Sequence, residues 1–313
     1  MEYNIIDISE FEIEEFEQLG TKSKFWYEDN NGDSYLFKSI KTQNKAMEDV
    51  FRYGEDWAEK IASELAELLG IPHAKYELAT YNGMDGVISP NFILGKGERL
   101  STGNELIERM NATSSTENDS IQRITRVFTI MERIIKRKPI GFKELDKIKT
   151  ASDFFVGYLM LDSLISNQDR HVENWGMIET DKATTHLAPS FDHAASLGRN
   201  ESDEKRRIRL DTNDIGRSVE TYVLKAKSHF YNTSNSRLKI LQAFENSARI
   251  NPSAAMAWLE RLSDLEDSMI YQVISRVPEE RMSFTAKQFA YEIIRCNKNN
   301  LLKLKKEINT FIV

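Results

Sequence analysis

The sequence predicts an α+β chain of two lobes, strand-rich over about residues 1–90 and helical over 91–313. Two aromatic-rich runs around an Asn31-Gly32 turn, Phe25-Trp26-Tyr27 and Tyr35-Leu36-Phe37-Lys38, read as an early hairpin. From residue 103 onward, apolar residues recur mostly at spacings of three and four, the helical period. One polar stretch, Ser166 to Gly176, separates an apolar helix from a second hairpin, and the chain is organised around it.

Residues 1–19 are acidic and weakly patterned, and leave helix or strand open. After the first hairpin, Trp57, Ile61, Leu65, Leu68 and Leu69 form one stripe of a helix over 55–70, ended by Gly70 and Pro72. Residues 74–79 read as a strand, Asn82-Gly83 and Asp85-Gly86 as a tight turn, and Val87-Ile88-Ser89 as the returning strand. Residues 90–97 read as the crossing between lobes. Helices are expected over 103–110 and 121–136, with a polar loop between them. The apolar helix carries Phe154, Phe155, Tyr158, Leu159, Leu161, Leu164 and Ile165. Runs at 175–178 and 183–187, joined by Thr180-Asp181-Lys182, form the second hairpin. Helical patterns resume over 216–231, 234–248, 253–275 and 284–307, with Asn251-Pro252 and Val277-Pro278 as helix starts.

Composition narrows the function classes. With 313 residues, 40% hydrophobic and 29% charged, the chain suits an ordinary globular protein. No apolar run is long enough to span a bilayer. The acidic N-terminus lacks a signal-peptide pattern, and Cys296, the single cysteine, allows no internal disulfide, so a cytoplasmic setting is expected. A net charge of −7 argues against direct nucleic-acid binding. One local run departs from this: Arg199, Lys205, Arg206, Arg207 and Arg209. It reads as a solvated loop whose position makes it a candidate dock for an acidic substrate or a phosphate. Scattered histidines give no zinc pattern. No serine-histidine-aspartate or cysteine-histidine hydrolase context is present.

Between the helix and the second hairpin lie Asp169 and, five positions on, Asn174. Asp192 follows the hairpin. An isolated Asp-x-x-x-x-Asn loop is ordinary surface turn chemistry. Here the order is helix, Asp-x-x-x-x-Asn loop, hairpin, Asp, the set of groups that phosphoryl transfer uses. One carboxylate orients and deprotonates the attacking hydroxyl, while an amide and a second carboxylate hold magnesium against the nucleotide phosphates.

The stretch Asn167-Gln168-Asp169-Arg170-His171-Val172-Glu173-Asn174-Trp175-Gly176 resembles the signature of the HipA-like bacterial kinases, Asn-x-Asp-Arg-His-x-x-Asn-x-Gly. The resemblance implies a two-lobed protein-kinase-like fold that binds ATP and Mg²⁺ between the lobes. It makes Asp169 the base, Asn174 and Asp192 the metal ligands, and Lys38 the phosphate-binding lysine, braced by Glu59. Glu55 lies one turn earlier on the same helix face, so periodicity leaves the choice between the two glutamates open. Asn167, Asp162 and His171 are expected to support the loop. Gly20-Thr21-Lys22-Ser23-Lys24 resembles the family's short phosphate loop, with Ser23 or Thr21 at the place of an autophosphorylated serine. Residues 88–94 are expected against the adenine base. Arg170 follows the aspartate, whereas eukaryotic kinases place the arginine before it, so coupling to an activation loop is not carried over. Nor is a phenylalanine switch, because His193-Ala194-Ala195 follows Asp192.

What the resemblance implies for biology is a serine/threonine kinase of a protein substrate. It would act as a toxin restrained by an antitoxin or other regulatory partner, or as a secreted effector. Two alternatives stand beside it: a kinase of a small molecule or lipid head group, and a nucleotide-binding pseudokinase or partner-binding module.

Overall fold

A computed structural model describes residues 1–16, 22–43, 48–95, 97–112 and 121–312, with side chains except at 15, 16, 22, 23, 43 and 310–312. The chain begins with β1 (Ile6–Asp7), β2 (Glu15–Phe16), β3 (Lys22–Glu28), β4 (Ser34–Gln43) and β5 (Asp49–Phe51). Helix α1 (Glu55–Leu69) follows, then β6 (Glu77–Tyr81) and β7 (Met84–Pro90). These strands form one sheet in the order β1-β6-β7-β4-β3-β2, with β5 added against β4. All its pairings are antiparallel except β1 with β6.

Alternation along β4 decides what each face does. Phe37 packs into a small aromatic cluster with Phe25, Tyr27 and Ile88 on the sheet's outer face. Its neighbour Lys38 must then point the other way, toward α1. Helix α1 lies on that inner face and shares the main core with Leu78 and Val87. Gly54 (φ 85°) and Gly70 (φ 70°) bound α1 in left-handed conformations that favour glycine.

The remainder runs β8 (Arg99–Thr102), α2 (Gly103–Ala112), α3 (Ile124–Ile130), α4 (Ala151–Ile165), β9 (Gly176–Glu179), β10 (Thr185–Leu187) and α5 (Asp203–Asp211). It continues with α6 (Val219–Lys225), β11 (Lys227–Tyr231), β12 (Arg237–Lys239), α7 (Ile240–Ile250), α8 (Pro252–Asp264), α9 (Asp267–Ser275) and α10 (Phe284–Ile312). Helix α4 is the axis of this part and is buried along nearly its whole length. Thr150 and Asp153 cap its start reciprocally: the Thr150 Oγ1 accepts from the Asp153 amide and the Asp153 carboxylate accepts from the Thr150 amide. Helices α7, α8 and α10 pack around it through the shared core.

Several sequence expectations need correction. The helix expected over 216–231 ends at Lys225, and residues 227–239 form an antiparallel hairpin, β11 with β12. In β11, Ser228 and Phe230 are buried while Lys227 is exposed and His229 half-buried, which is the period of a strand. The helix expected from 234 therefore starts only at Ile240. The pattern over 253–275 is two helices, parted where Leu265 and Glu266 take extended conformations. The helix over 121–136 is α3 continued by a π-helical turn, Met131–Ile135. The basic run after Arg199 is not a loop. Ser202 caps α5, and Arg206 is buried near the Trp57 ring.

Candidate active site

Helix α4 stops at Ser166, whose φ of 54° turns the chain out of the helix and into the Asp169 loop. Asp162, in the last turn of α4, organises that loop from below. Its carboxylate takes both Arg170 Nε and Nη2 at 2.8 Å, and Asn167 Nδ2 at 2.8 Å. The paired, two-pronged contact fixes the guanidinium's plane as well as its position. From that plane Arg170 donates to the carbonyls of Asn174 (2.9 Å) and Phe191 (3.4 Å) and to Ser190 Oγ (2.8 Å). One buried arginine thus binds the Asp169 loop to the Asp192 segment. Asn167 Oδ1 accepts the Asp169 amide at 3.2 Å.

Asn174 is 5% exposed, and its Nδ2 donates to the Asp169 carbonyl at 2.7 Å, which leaves its Oδ1 as an acceptor. Gly176 is required where the signature has glycine, because a Cβ there would collide with the Ser101 carbonyl of β8. Asp192 has φ 57°, and its flanks are tied to the N-terminal part: Ser190 N–H donates to Pro72 O and Ala74 N–H to Ser190 O, both at 2.8 Å.

Lys38 meets this segment from β4. Its Nζ lies 3.3 Å from Glu59 Oε1, 3.6 Å from Asp192 Oδ1 and 3.1 Å from Tyr76 Oη. Burial alone would lower the Lys38 ammonium, but Asp192, Tyr76 and Glu59 outweigh it and hold the group well above the ordinary lysine range. The other Glu59 oxygen accepts the His193 backbone N–H at 2.8 Å. Of the two glutamates that periodicity could not separate, Glu59 faces Lys38. Glu55 instead pairs with Arg199 at 2.9 Å. His193 is fully buried, its Nε2 2.7 Å from Ser190 Oγ. Burial, with Arg170 and His73 nearby, holds its imidazole well below its usual range and so neutral.

Asp169 is about half exposed and faces a cavity of about 700 Å³ whose walls also carry Lys38, Asn174 and Asp192. The lining is also apolar in part: Phe92 stacks on Phe191 (5.8 Å, 27°), and Leu36, Ile93 and Leu100 line the same cavity. Of the segment expected against a base, Ser89 to Ile93 line the cavity. Ile88 does not, because it faces the outer aromatic cluster, and Leu94 is 85% exposed. Lys24 lines the cavity, opposite Lys38 in the β3–β4 register. Gly20 and Thr21 lie outside the described residues, as do the side chains of Lys22 and Ser23.

Some residues of the site carried no sequence signal. Tyr76 sits in a stretch with no motif, yet its hydroxyl bridges Lys38 and the Asp192 amide (3.4 Å). His229 comes from the unexpected hairpin and places Nε2 3.5 Å from Asp169 Oδ1, with His171 at 3.9 Å from the same oxygen. His171 Nδ1 also accepts the Glu173 amide at 3.1 Å, bracing the loop. Gln122 joins hairpin and loop: its Nε2 donates to Arg170 O at 2.9 Å, its Oε1 accepts from Trp175 Nε1 at 2.9 Å, and its carbonyl accepts the Tyr231 amide at 3.0 Å.

No protein-family model matches the chain, and no curated protein sequence does. Solved structures do. The Helicobacter pylori proinflammatory kinase CtkA matches with a TM-score of 0.74 at 18% identity, covering 99% of this chain and all of that one. HipA of Shewanella oneidensis MR-1, solved with HipB and operator DNA, matches with a TM-score of 0.55 at 13% identity, covering 94% of this chain and 67% of that one. At these identities the likeness is one of fold: the chain has a two-lobed, kinase-like fold similar to those of CtkA and HipA.

Proposed function

We propose that this protein is an ATP- and Mg²⁺-dependent kinase that phosphorylates serine or threonine of a protein substrate. The observation that carries the reading is convergence on one cavity. A buried lysine held 3.3 Å from Glu59 and 3.6 Å from Asp192 faces a wall that carries Asp169 and Asn174. The donors fit the cation. Among the described residues no cluster of three or more histidine, cysteine, aspartate or glutamate side chains could hold a metal alone. Mg²⁺ in such sites is commonly held by one or two protein oxygens together with phosphates and water. Asp192 carboxylate and Asn174 Oδ1 supply that number.

In this reading Lys38 binds the phosphates, and Glu59 with Tyr76 keeps its ammonium directed into the cavity. Asp169 accepts the proton of the attacking hydroxyl and orients it. Arg170 and Asp162 keep Asp169 and Asp192 in fixed relation, so that little reorganisation is needed at reaction. The Phe92–Phe191 stack accepts the base. Magnesium, when bound, neutralises phosphate charge as transfer proceeds. The reading carries with it a cytoplasmic setting, a toxin or effector role, and restraint by a regulatory protein. Support for restraint is the HipA structure, solved with HipB. Autophosphorylation at Ser23 belongs to the same reading and is read by mapping phosphate on the purified chain.

Nucleotide binding tests the proposal before any substrate is known. Wild-type protein should bind ATP more tightly with Mg²⁺ than with EDTA, and Asp192→Asn should lose that difference. Equal binding under both conditions in the wild type would count against the metal assignment.

A further inference from the structure

A second cavity is lined in part by Gln168 of the Asp169 loop. Its volume is about 440 Å³, and it is lined by Gln168, Arg209, Gly216, Arg217, Thr221, Tyr222, Lys225 and Ala226. Three cations and no carboxylate form its wall, in a protein whose net charge is −7. Its acidic neighbours, Glu201 and Asp214, are engaged from outside the lining. Glu201 Oε2 lies 3.0 Å from Arg209 Nε, and Asp214 Oδ2 lies 3.5 Å from Arg217 Nε.

Arg209 is set in place before any ligand arrives. Its guanidinium lies over the Tyr222 ring at 4.7 Å, and its Nη1 donates to the Arg217 carbonyl at 3.4 Å. Among the described residues, Arg209 Nη2 and Lys225 Nζ have no hydrogen-bond or ion-pair partner. The Thr221 hydroxyl donates to the Ile215 carbonyl and the Gly216 amide to Asp214 Oδ1 at 2.8 Å, so the donors left for a ligand are the guanidinium and the ammonium. Such a set suits an anion with several oxygens, because charge-assisted bonds to a fixed guanidinium and an ammonium are the strong ones.

Position gives the cavity its meaning. Gln168, which lines this cavity, immediately precedes Asp169, which lines the first, so the two cavities share the Asp169 loop. An extended acceptor chain advances roughly 3.3 Å per residue, so an anionic side chain a few residues from the acceptor hydroxyl could reach Arg209 and Lys225.

We infer that this cavity is an acceptor subsite that selects protein segments carrying an anionic group, phosphoserine or a carboxylate, close to the serine or threonine to be phosphorylated. The inference rests on the kinase reading for its purpose, but binding can be measured without catalysis.

The probes are fluorescent serine-centred peptides with phosphoserine, glutamate or alanine scanned through the flanking positions. Their binding is followed by anisotropy, with labelled-phosphate transfer measured in parallel. Anionic peptides should bind about tenfold more tightly than their alanine counterparts, at one or two positions only. Lys225→Gln, on an exposed side chain, should shrink that ratio, and Arg209→Gln should abolish it while Arg209→Lys keeps part of it. A phosphoserine preference would identify a primed substrate, and equal preference an acidic one. An unchanged ratio in Lys225→Gln and Arg209→Gln would overturn the subsite. So would displacement of the peptides by inorganic phosphate alone at the phosphopeptide's own affinity. Selective binding without transfer keeps the subsite and defeats the kinase reading, whereas transfer without selectivity does the reverse.

Discussion

Glu59 and Glu55 lie one turn apart on α1, and the structure gives them different partners: Lys38 for the first, Arg199 for the second. In the proposed mechanism only Glu59 keeps the lysine aimed at the phosphates. Glu59→Gln should therefore lower kcat/KM for ATP by on the order of 10²-fold, and Glu55→Gln by much less. Steady-state transfer rates compare the two, and a larger loss in Glu55→Gln would reverse the assignment. His229 offers a second residue-level test. It faces Asp169, His171 and Arg237, and burial, then Arg237, holds its imidazole below the ordinary range, so it is neutral near pH 7. As pH falls the ring gains a proton, and at 3.5 Å the cation pairs with Asp169 and competes for the carboxylate the acceptor hydroxyl needs. The rate should fall on the acid side, and His229→Gln should move that fall to lower pH. An acid limb unchanged in the variant would remove His229 from the account.

The β11–β12 hairpin is the element that the sequence concealed, and the reason is visible in its residues. Lys227-Ser228-His229-Phe230-Tyr231 follows directly on the seven-residue helix α6, and a single apolar position in alternation is too little to outvote a helical neighbourhood. By contrast α1 and α4 were legible because long apolar stripes and clear ends coincide. Gln122 holds this hairpin to the Asp169 loop through four hydrogen bonds: its Nε2 donates to the Arg170 and His229 carbonyls, its Oε1 accepts from Trp175 Nε1, and its carbonyl accepts the Tyr231 amide. Gln122→Leu would leave Trp175 Nε1 and the Arg170 carbonyl buried without that partner. The expected cost is about 1–3 kcal/mol, read as a lower midpoint in urea unfolding. A variant as stable as wild type would mean that water or a neighbour replaces the amide.

Across the whole molecule, the site was legible where one residue type can do one job. Asp169, Asn174 and Asp192 stand in a fixed order around a helix and a hairpin, and the structure brings them to one cavity with Lys38. Tyr76, Arg170's bridging role and Arg199's pairing with Glu55 were not legible, because each depends on contacts between segments far apart in the chain. The basic run after Arg199 was legible as charge but not as a helix. Its Arg206 is spent on the carbonyls of Gly198 and Arg199 and near the Trp57 ring, and only Arg209 reaches the second cavity.

The central claim is that this chain transfers phosphate with Asp169 as the group that accepts the hydroxyl proton. The most direct measurement gives purified wild-type and Asp169→Asn proteins γ-phosphate-labelled ATP with Mg²⁺, and follows label on protein by gel alongside nucleotide binding. The account predicts labelled protein from the wild type, and a loss on the order of 10²- to 10⁴-fold in Asp169→Asn with ATP binding retained. Equal labelling by both proteins would contradict it.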